Sequence, residues 1–264
     1  ILKKLIADLG RLSFDGKHYK DVDLLQFSAC LAQNFPNEPR KPQILIDISE
    51  LVKRDAKTGI QRVVRSLLTE MLINPPAGYD VFPIYANQLT LGYRYANRFQ
   101  KKFFASEDEK RTMGESNTNN LEDPVIETQA GDIFLGIDLQ ADIVQAQKQY
   151  LSAIKLSGTK VYFVVYDLLP ILFPNAFPSA AEFNHRQWLL EISQFDGIIC
   201  ISKAVADDYQ KWAKINIPDL PKQFDVAWFH LGADIENSVP TTGLPTNASE
   251  VIAKIGRASC RERV

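Results

Sequence analysis

Three stretches of this 264-residue chain offer side chains or backbone suited to chemistry on a polar ligand. The first runs from Ser49 to Arg62. It carries Lys53, Arg54 and Lys57 and delivers the chain to a helix start with Gly59 at its first position. Glycine there lets a phosphate or sugar hydroxyl approach the N–H groups that a helix N-terminus leaves unpaired, with Lys57 and Arg62 as flanking cations. A tight turn is the equal alternative for that glycine. The second stretch is Tyr166-Asp167, directly after a strand-like run and before Leu168-Leu169-Pro170. An aspartate at a strand end can accept a substrate hydroxyl or orient a neighbouring group, and the phenol beside it can donate a hydrogen bond. Helix capping is the competing and commoner role for Asp167, and more so for Ser202, the third candidate, at the start of another helix.

Other groups carry no such chemistry. Asp21-Val-Asp23 has the Asp-x-Asp form of metal-dependent sugar transferases, but it precedes a helical stretch instead of ending a strand, so chance explains it. His18, His185 and His230 lie far apart, without carboxylates or thiolates at metal-ligand spacing, and no metal is expected. Cys30, Cys200 and Cys260 are too few and scattered for a disulfide framework. No G-x-S-x-G elbow, Walker loop or G-x-G-x-x-G fingerprint is present. Asn247-Ala-Ser249 is a formal glycosylation acceptor without meaning in the reducing compartment that the cysteines suit.

The elements that must position these residues are legible as short apolar runs alternating with helical periodicity. Gln43–Ile48, Tyr79–Ala86, Gln88–Tyr95, Asp132–Asp138, Lys160–Val165, Gly197–Ile201 and Phe224–Leu231 read as strands, several of them continuous apolar runs expected of strands buried on both faces. Helices are expected over 58–72, 141–156, 179–194 and 203–215. In the first, Ile60, Val63, Val64, Leu67, Leu68, Met71 and Leu72 share one face, and Thr58 with Gln61 forms a Thr-x-x-Gln capping box. Ser106 to Thr128, polar and aperiodic, reads as a mobile loop. Strand alternating with helix predicts an α/β fold, a Rossmann-like doubly wound parallel sheet, whose ligands bind at the carboxyl ends of the strands.

Composition sets the outer limits. The chain is 45% hydrophobic and 23% charged with a net charge of −2, which suits a globular protein and gives no global attraction to nucleic acid or an anionic membrane. No apolar run is long enough to span a bilayer, and a cytoplasmic location is expected. Residues 1–42 read as two helices, Ile1–Leu12 and Val22–Gln33, plus a proline-bearing linker, the tail of an upstream domain. Residues 43–232 form the main domain and 233–254 an interdomain linker. Residues 255–264 match a translated frame of a sequencing adapter and are set aside from fold reasoning.

In this order, four motifs resemble the N-terminal half of bacterial family 4 (group 1) glycosyltransferases of the surface-polysaccharide and O-antigen type. They are Ile46-Asp-Ile-Ser-Glu50 with Thr58-Gly-Ile-Gln-Arg-Val63, Val165-Tyr-Asp-Leu-Leu-Pro170, Phe195-Asp-Gly-Ile-Ile-Cys-Ile-Ser202 and His230-Leu-Gly-Ala-Asp234. The resemblance implies a GT-B fold of two facing Rossmann-like domains with no cofactor or obligatory metal. The domain present positions the acceptor, and a C-terminal donor domain, which the chain is expected to lack, binds the nucleotide sugar. It implies a retaining enzyme that transfers a hexose, with a mannosyl-type donor fitting, to a glycan or lipid-linked acceptor, and it implies that this chain is inactive alone. By similarity Gly59 and Arg62 lie near the donor phosphates, and Asp167 matches the aspartate of a His-Asp pair whose histidine is here Tyr166. Peripheral contact with the inner membrane, through a patch such as Ile1–Leu12, is compatible with this reading. Two alternatives stand beside it: a non-catalytic Rossmann-type ligand-binding module, and an oxidoreductase, which the missing glycine fingerprint disfavours.

Overall fold

A computed structural model of the chain describes residues 40–105, 123–232 and Ser249. The expected helices at 1–12 and 22–33, the linker 233–254 (Ser249 apart) and the tail 255–264 lie outside the described residues, as does most of the loop expected at 106–128. The described residues from Pro42 onward belong to one unit, Pro42–Val264.

The core is a seven-stranded sheet in the order β3-β2-β1-β4-β5-β6-β7. Its strands are β1 (Gln43–Asp47), β2 (Asp80–Tyr85), β3 (Arg94–Tyr95), β4 (Ile133–Gly136), β5 (Lys160–Val165), β6 (Gly197–Cys200) and β7 (Asp225–Trp228). All neighbours are parallel except β2 and β3. The strand expected over 88–95 thus shrinks to two residues and reverses. Gly92, at φ 99°, turns the chain so that β3 closes the edge as a hairpin. The described end of the expected loop is structured: Val125 bridges Arg94, and Ile126 is buried.

The apolar runs become strands because both sheet faces are covered. All five β1 residues are buried. On one face Leu45, Phe134, Phe163 and Ile198 pack with helices α4 (Ala141–Leu156), α6 (Ala181–Ile192) and α7 (Lys203–Asn216). On the other, Ile44, Ile46 and Val164 meet α1 (Ser49–Lys53), α2 (Gly59–Ile73) and α3 (Asn97–Phe104). A short α5 (Leu169–Leu172) and a 3-10 turn (Pro174–Ala176) join β5 to α6. Gly136 ends β4 because the Phe163 ring lies where a Cβ would stand, 2.6 Å away.

The helix α2 follows its predicted apolar face, with Val64 and Leu68 buried at the centre and Ile60, Val63, Leu67 and Met71 flanking. Its capping box closes on one side only. Thr58 Oγ1 accepts from the Gln61 N–H, but the Gln61 amide donates instead to the Arg54 carbonyl at 2.6 Å. Burial of Gln61 beside the 54–58 loop makes that carbonyl the nearer partner. Among the described residues no helix is long and apolar enough to cross a membrane.

Candidate functional site

Strand order reverses between β1, which continues to β2, and β4, which continues toward β7. The crevice above such a switch point is the usual ligand position in an open parallel sheet. Here it is lined by carboxylates. Asp47, the last residue of β1, accepts from the Ser49 N–H at 3.0 Å and from the Ser49 hydroxyl, and its other oxygen accepts from the Tyr93 phenol at 3.3 Å. The Ser49 hydroxyl in turn accepts from the Ala86 N–H, tying β1 to β2. Asp138, in the loop after β4, accepts from the Leu51 N–H at 2.8 Å and from the Leu139 N–H. Leu51 lies in the first turn of α1, so Asp138 caps the start of that short helix from another strand's loop.

Burial governs the charge of this pair. Desolvation lifts Asp47 to about 7 against the pull of the Ser49 hydrogen bonds, with repulsion from Asp138 adding to the rise. Desolvation likewise lifts Asp138 to about 6. Gln140, also buried here, has an amide nitrogen without a hydrogen-bond partner. The strand-end positions of Asp47 and Asp138 were legible, but the role of Asp138 was not, because its partner Leu51 is 87 residues away.

Tyr166 and Asp167 directly follow β5, the strand beside β4. Tyr166 is buried, and its hydroxyl donates to the Ile137 carbonyl at 2.7 Å. Burial raises this phenol well above its ordinary range, so it is a fixed neutral donor that braces the β4 loop from beneath the sheet edge. Asp167 is half-buried. Its Oδ1 accepts from the Leu169 N–H at 2.9 Å, a local turn two residues on rather than the expected cap, since Leu168 is the N-cap of α5. Its carbonyl oxygen accepts from His185 Nε2 at 2.9 Å.

His185 is brought to Asp167 by the fold, which sequence spacing did not show. It stands 18 residues away on α6, packed against Trp188 with ring centroids 5.3 Å apart. A carbonyl can only accept, so Nε2 carries the proton and Nδ1 is left as an acceptor. Burial lowers the affinity of His185 for a second proton, which keeps the ring neutral. An imidazole from another element therefore bonds the Asp167 backbone.

Ser202, just past the neighbouring strand β6, caps α7, its Oγ accepting from the Val205 N–H at 3.2 Å. Its hydroxyl proton remains available to a ligand. Asp167 and Ser202 thus follow adjoining strands, whose last paired residues are Val165 and Cys200. Lys57, Gly59 and Arg62 lie apart from them, where the loop after α1 enters α2. All three are exposed, and a Cβ on Gly59 would meet nothing within 4 Å. Lys57 has a left-handed backbone, φ 54°. Among the described residues no three His, Cys, Asp or Glu side chains gather to hold a metal ion.

No family model matches the chain. Its sequence is 34% identical over 245 residues, 90% of its length, to an Escherichia coli protein described as serotype-specific mannosyltransferase WbdA. Two further E. coli proteins of that description align at 34% over 245 and 244 residues. The chain is related to the bacterial surface-polysaccharide glycosyltransferases. That bears out the resemblance carried by the four motifs, and membership of family 4 fits. The seven-stranded, mostly parallel sheet fits the Rossmann-like α/β fold expected from it. The chain spans just over a quarter, 27–28%, of the length of these relatives.

Proposed function

We propose that this chain is the acceptor-side domain of a retaining glycosyltransferase that moves a hexose, of mannosyl type, from a nucleotide sugar to a glycan or lipid-linked acceptor. The observation that carries the reading is the 34% identity to the mannosyltransferase relatives along nearly the whole chain. The site supports the acceptor side of the assignment. Asp167, the Nδ1 of His185 and the Ser202 hydroxyl offer acceptors and a donor suited to sugar hydroxyls. The missing glycine fingerprint argues against the oxidoreductase alternative. In this reading Asp167 binds or orients the acceptor, Tyr166 positions the β4 loop, and Gly59, Lys57 and Arg62 face the nucleotide sugar, which a second domain mainly holds without a resident cofactor. The protein works on the cytoplasmic side of the inner membrane, with a peripheral attachment.

The test is transfer of labelled mannose from GDP-mannose to a mannoside acceptor by a parent protein of the relatives' length, wild type and Asp167→Ala. The expected result is transfer by the wild type, with a raised acceptor KM and an unchanged donor KM in the variant. Transfer that responds only through the donor KM overturns the acceptor-side assignment, and no transfer from any nucleotide sugar overturns the enzyme and favours a binding module.

A further inference from the structure

Three neighbouring strands bring polar groups to the carboxyl edge in one register. Val165 pairs with Cys200, and Cys200 with Trp228. The Ile201 N–H donates to the Val165 carbonyl and the Phe229 N–H to the Cys200 carbonyl, so the ladder runs one residue beyond the strand ends. Two positions after each paired residue stand Asp167, Ser202 and His230. Side chains two apart along an extended chain share a face. Here it is the face of Val165 and Cys200, which α4, α6 and α7 cover. His230 thereby continues toward β7 the row that Asp167 and Ser202 begin.

Next to His230 lies the most open tryptophan of the chain. Trp188 and Trp212 are buried, 2% and 7% exposed, whereas Trp228 is 45% exposed at the end of the edge strand β7. Its ring meets that of His230 edge to face, with centroids 5.0 Å apart and planes at 67°. The imidazole therefore fixes the indole without stacking over it, and is itself exposed. Core packing does not account for an indole at this position, since within β7 only Val226 packs against the core.

A flat, exposed aromatic ring beside a hydroxyl and a carboxylate suits a pyranose. One face of a hexopyranose is a set of C–H groups, which the electron-rich face of an aromatic ring attracts and shields from water, while the sugar hydroxyls turn to polar neighbours. We propose that Trp228, positioned by His230, forms a second acceptor subsite and stacks on the sugar next to the one that Asp167 and Ser202 hold. The inference rests on the acceptor-side reading given above and extends it from a single sugar to an oligosaccharide.

The test is mannoside binding by the full 264-residue chain, with backbone amide shifts in NMR reporting binding and acrylamide quenching of fluorescence reporting the cover of Trp228. The other two tryptophans are buried, so quenching reads this one. Mannotriose is expected to bind more tightly than methyl mannoside and to shield Trp228, while methyl mannoside binds and leaves it open. Trp228→Ala weakens mannotriose binding roughly tenfold without changing that of methyl mannoside, and Trp228→Phe, which keeps an aromatic face, recovers most of the loss. His230→Ala shows the same selective loss, and His230→Phe restores it. Circular dichroism confirms that each variant is folded. Mannotriose binding that leaves Trp228 open to acrylamide, or that Trp228→Ala does not weaken, overturns the subsite and leaves the acceptor-side reading standing. No binding of either mannoside overturns both. Shielding by GDP-mannose in place of mannotriose assigns Trp228 to the donor and overturns the proposal. Shielding in a protein of the relatives' length before any sugar is added also overturns it, because another part of that protein then covers the ring.

Discussion

The buried Asp47 makes the stability of this domain fall as pH rises, in a way that one isosteric substitution removes. Desolvation raises its pKa from 3.8 to about 7. For a group whose folded pKa lies above its unfolded one, the stabilisation is complete below the unfolded value and is lost as pH rises through the folded value. The window therefore runs from about pH 4 to about pH 7. At about 1.4 kcal/mol per pH decade the whole loss is about 4 kcal/mol, of which about 3 falls between pH 5 and pH 8. Asp47→Asn keeps the shape and stays neutral throughout. Its carbonyl can accept from Ser49, and its amide can donate to the Tyr93 hydroxyl, which is able to turn and accept. Asp138, raised in the same direction, is present in both proteins and largely cancels in the comparison. The assay is urea unfolding of wild type and variant, followed by circular dichroism at several pH values from about 5 to about 8. The wild type is expected to lose about 3 kcal/mol relative to the variant across that range and to level off above pH 7. A difference that stays flat, or that moves in favour of the wild type as pH rises, refutes the reasoning about burial at the switch point.

Three further substitutions probe the elements around the site. Gly59→Ala should stabilise the chain by about 0.4–1 kcal/mol in a thermal melt, since the Cβ meets open space, and should weaken nucleotide-sugar turnover in the parent protein if the ligand approaches this backbone. A gain in stability with turnover unchanged would leave Gly59 as a plain helix start. Tyr166→Phe should cost about 1–3 kcal/mol in urea unfolding, because the buried Ile137 carbonyl loses its donor; a neutral change would show that another group serves that carbonyl. Lys57→Gly should raise the melting temperature modestly, by about 0.5–1 kcal/mol in stability, by relieving the left-handed φ of 54°; a loss would show the lysine side chain to matter more than its backbone.

Much of the fold was legible because its signals are local. Apolar runs and helical periodicity placed β5 at Lys160–Val165 and the helix at Ala141–Leu156 without adjustment. The short helices α1, α3 and α5 escaped notice because a helix of one or two turns barely completes one period. The reversal of β3 depends on a turn at Gly92 and on pairing with β2, which no window along the chain contains.

The sequence by itself determined the alternation of strand and helix, the carboxyl-edge positions of Asp47, Tyr166, Asp167 and Ser202, and the motifs shared with surface-polysaccharide glycosyltransferases. Only the tertiary structure decided how each group is used. It buried the Tyr166 hydroxyl under the β4 loop, set Asp138 on the start of α1, and brought His185 to Asp167. The reason is physical. Periodicity and capping are set by residues within a few positions of one another, whereas desolvation, hydrogen-bond partnership and surface charge depend on elements that meet only when the sheet has assembled.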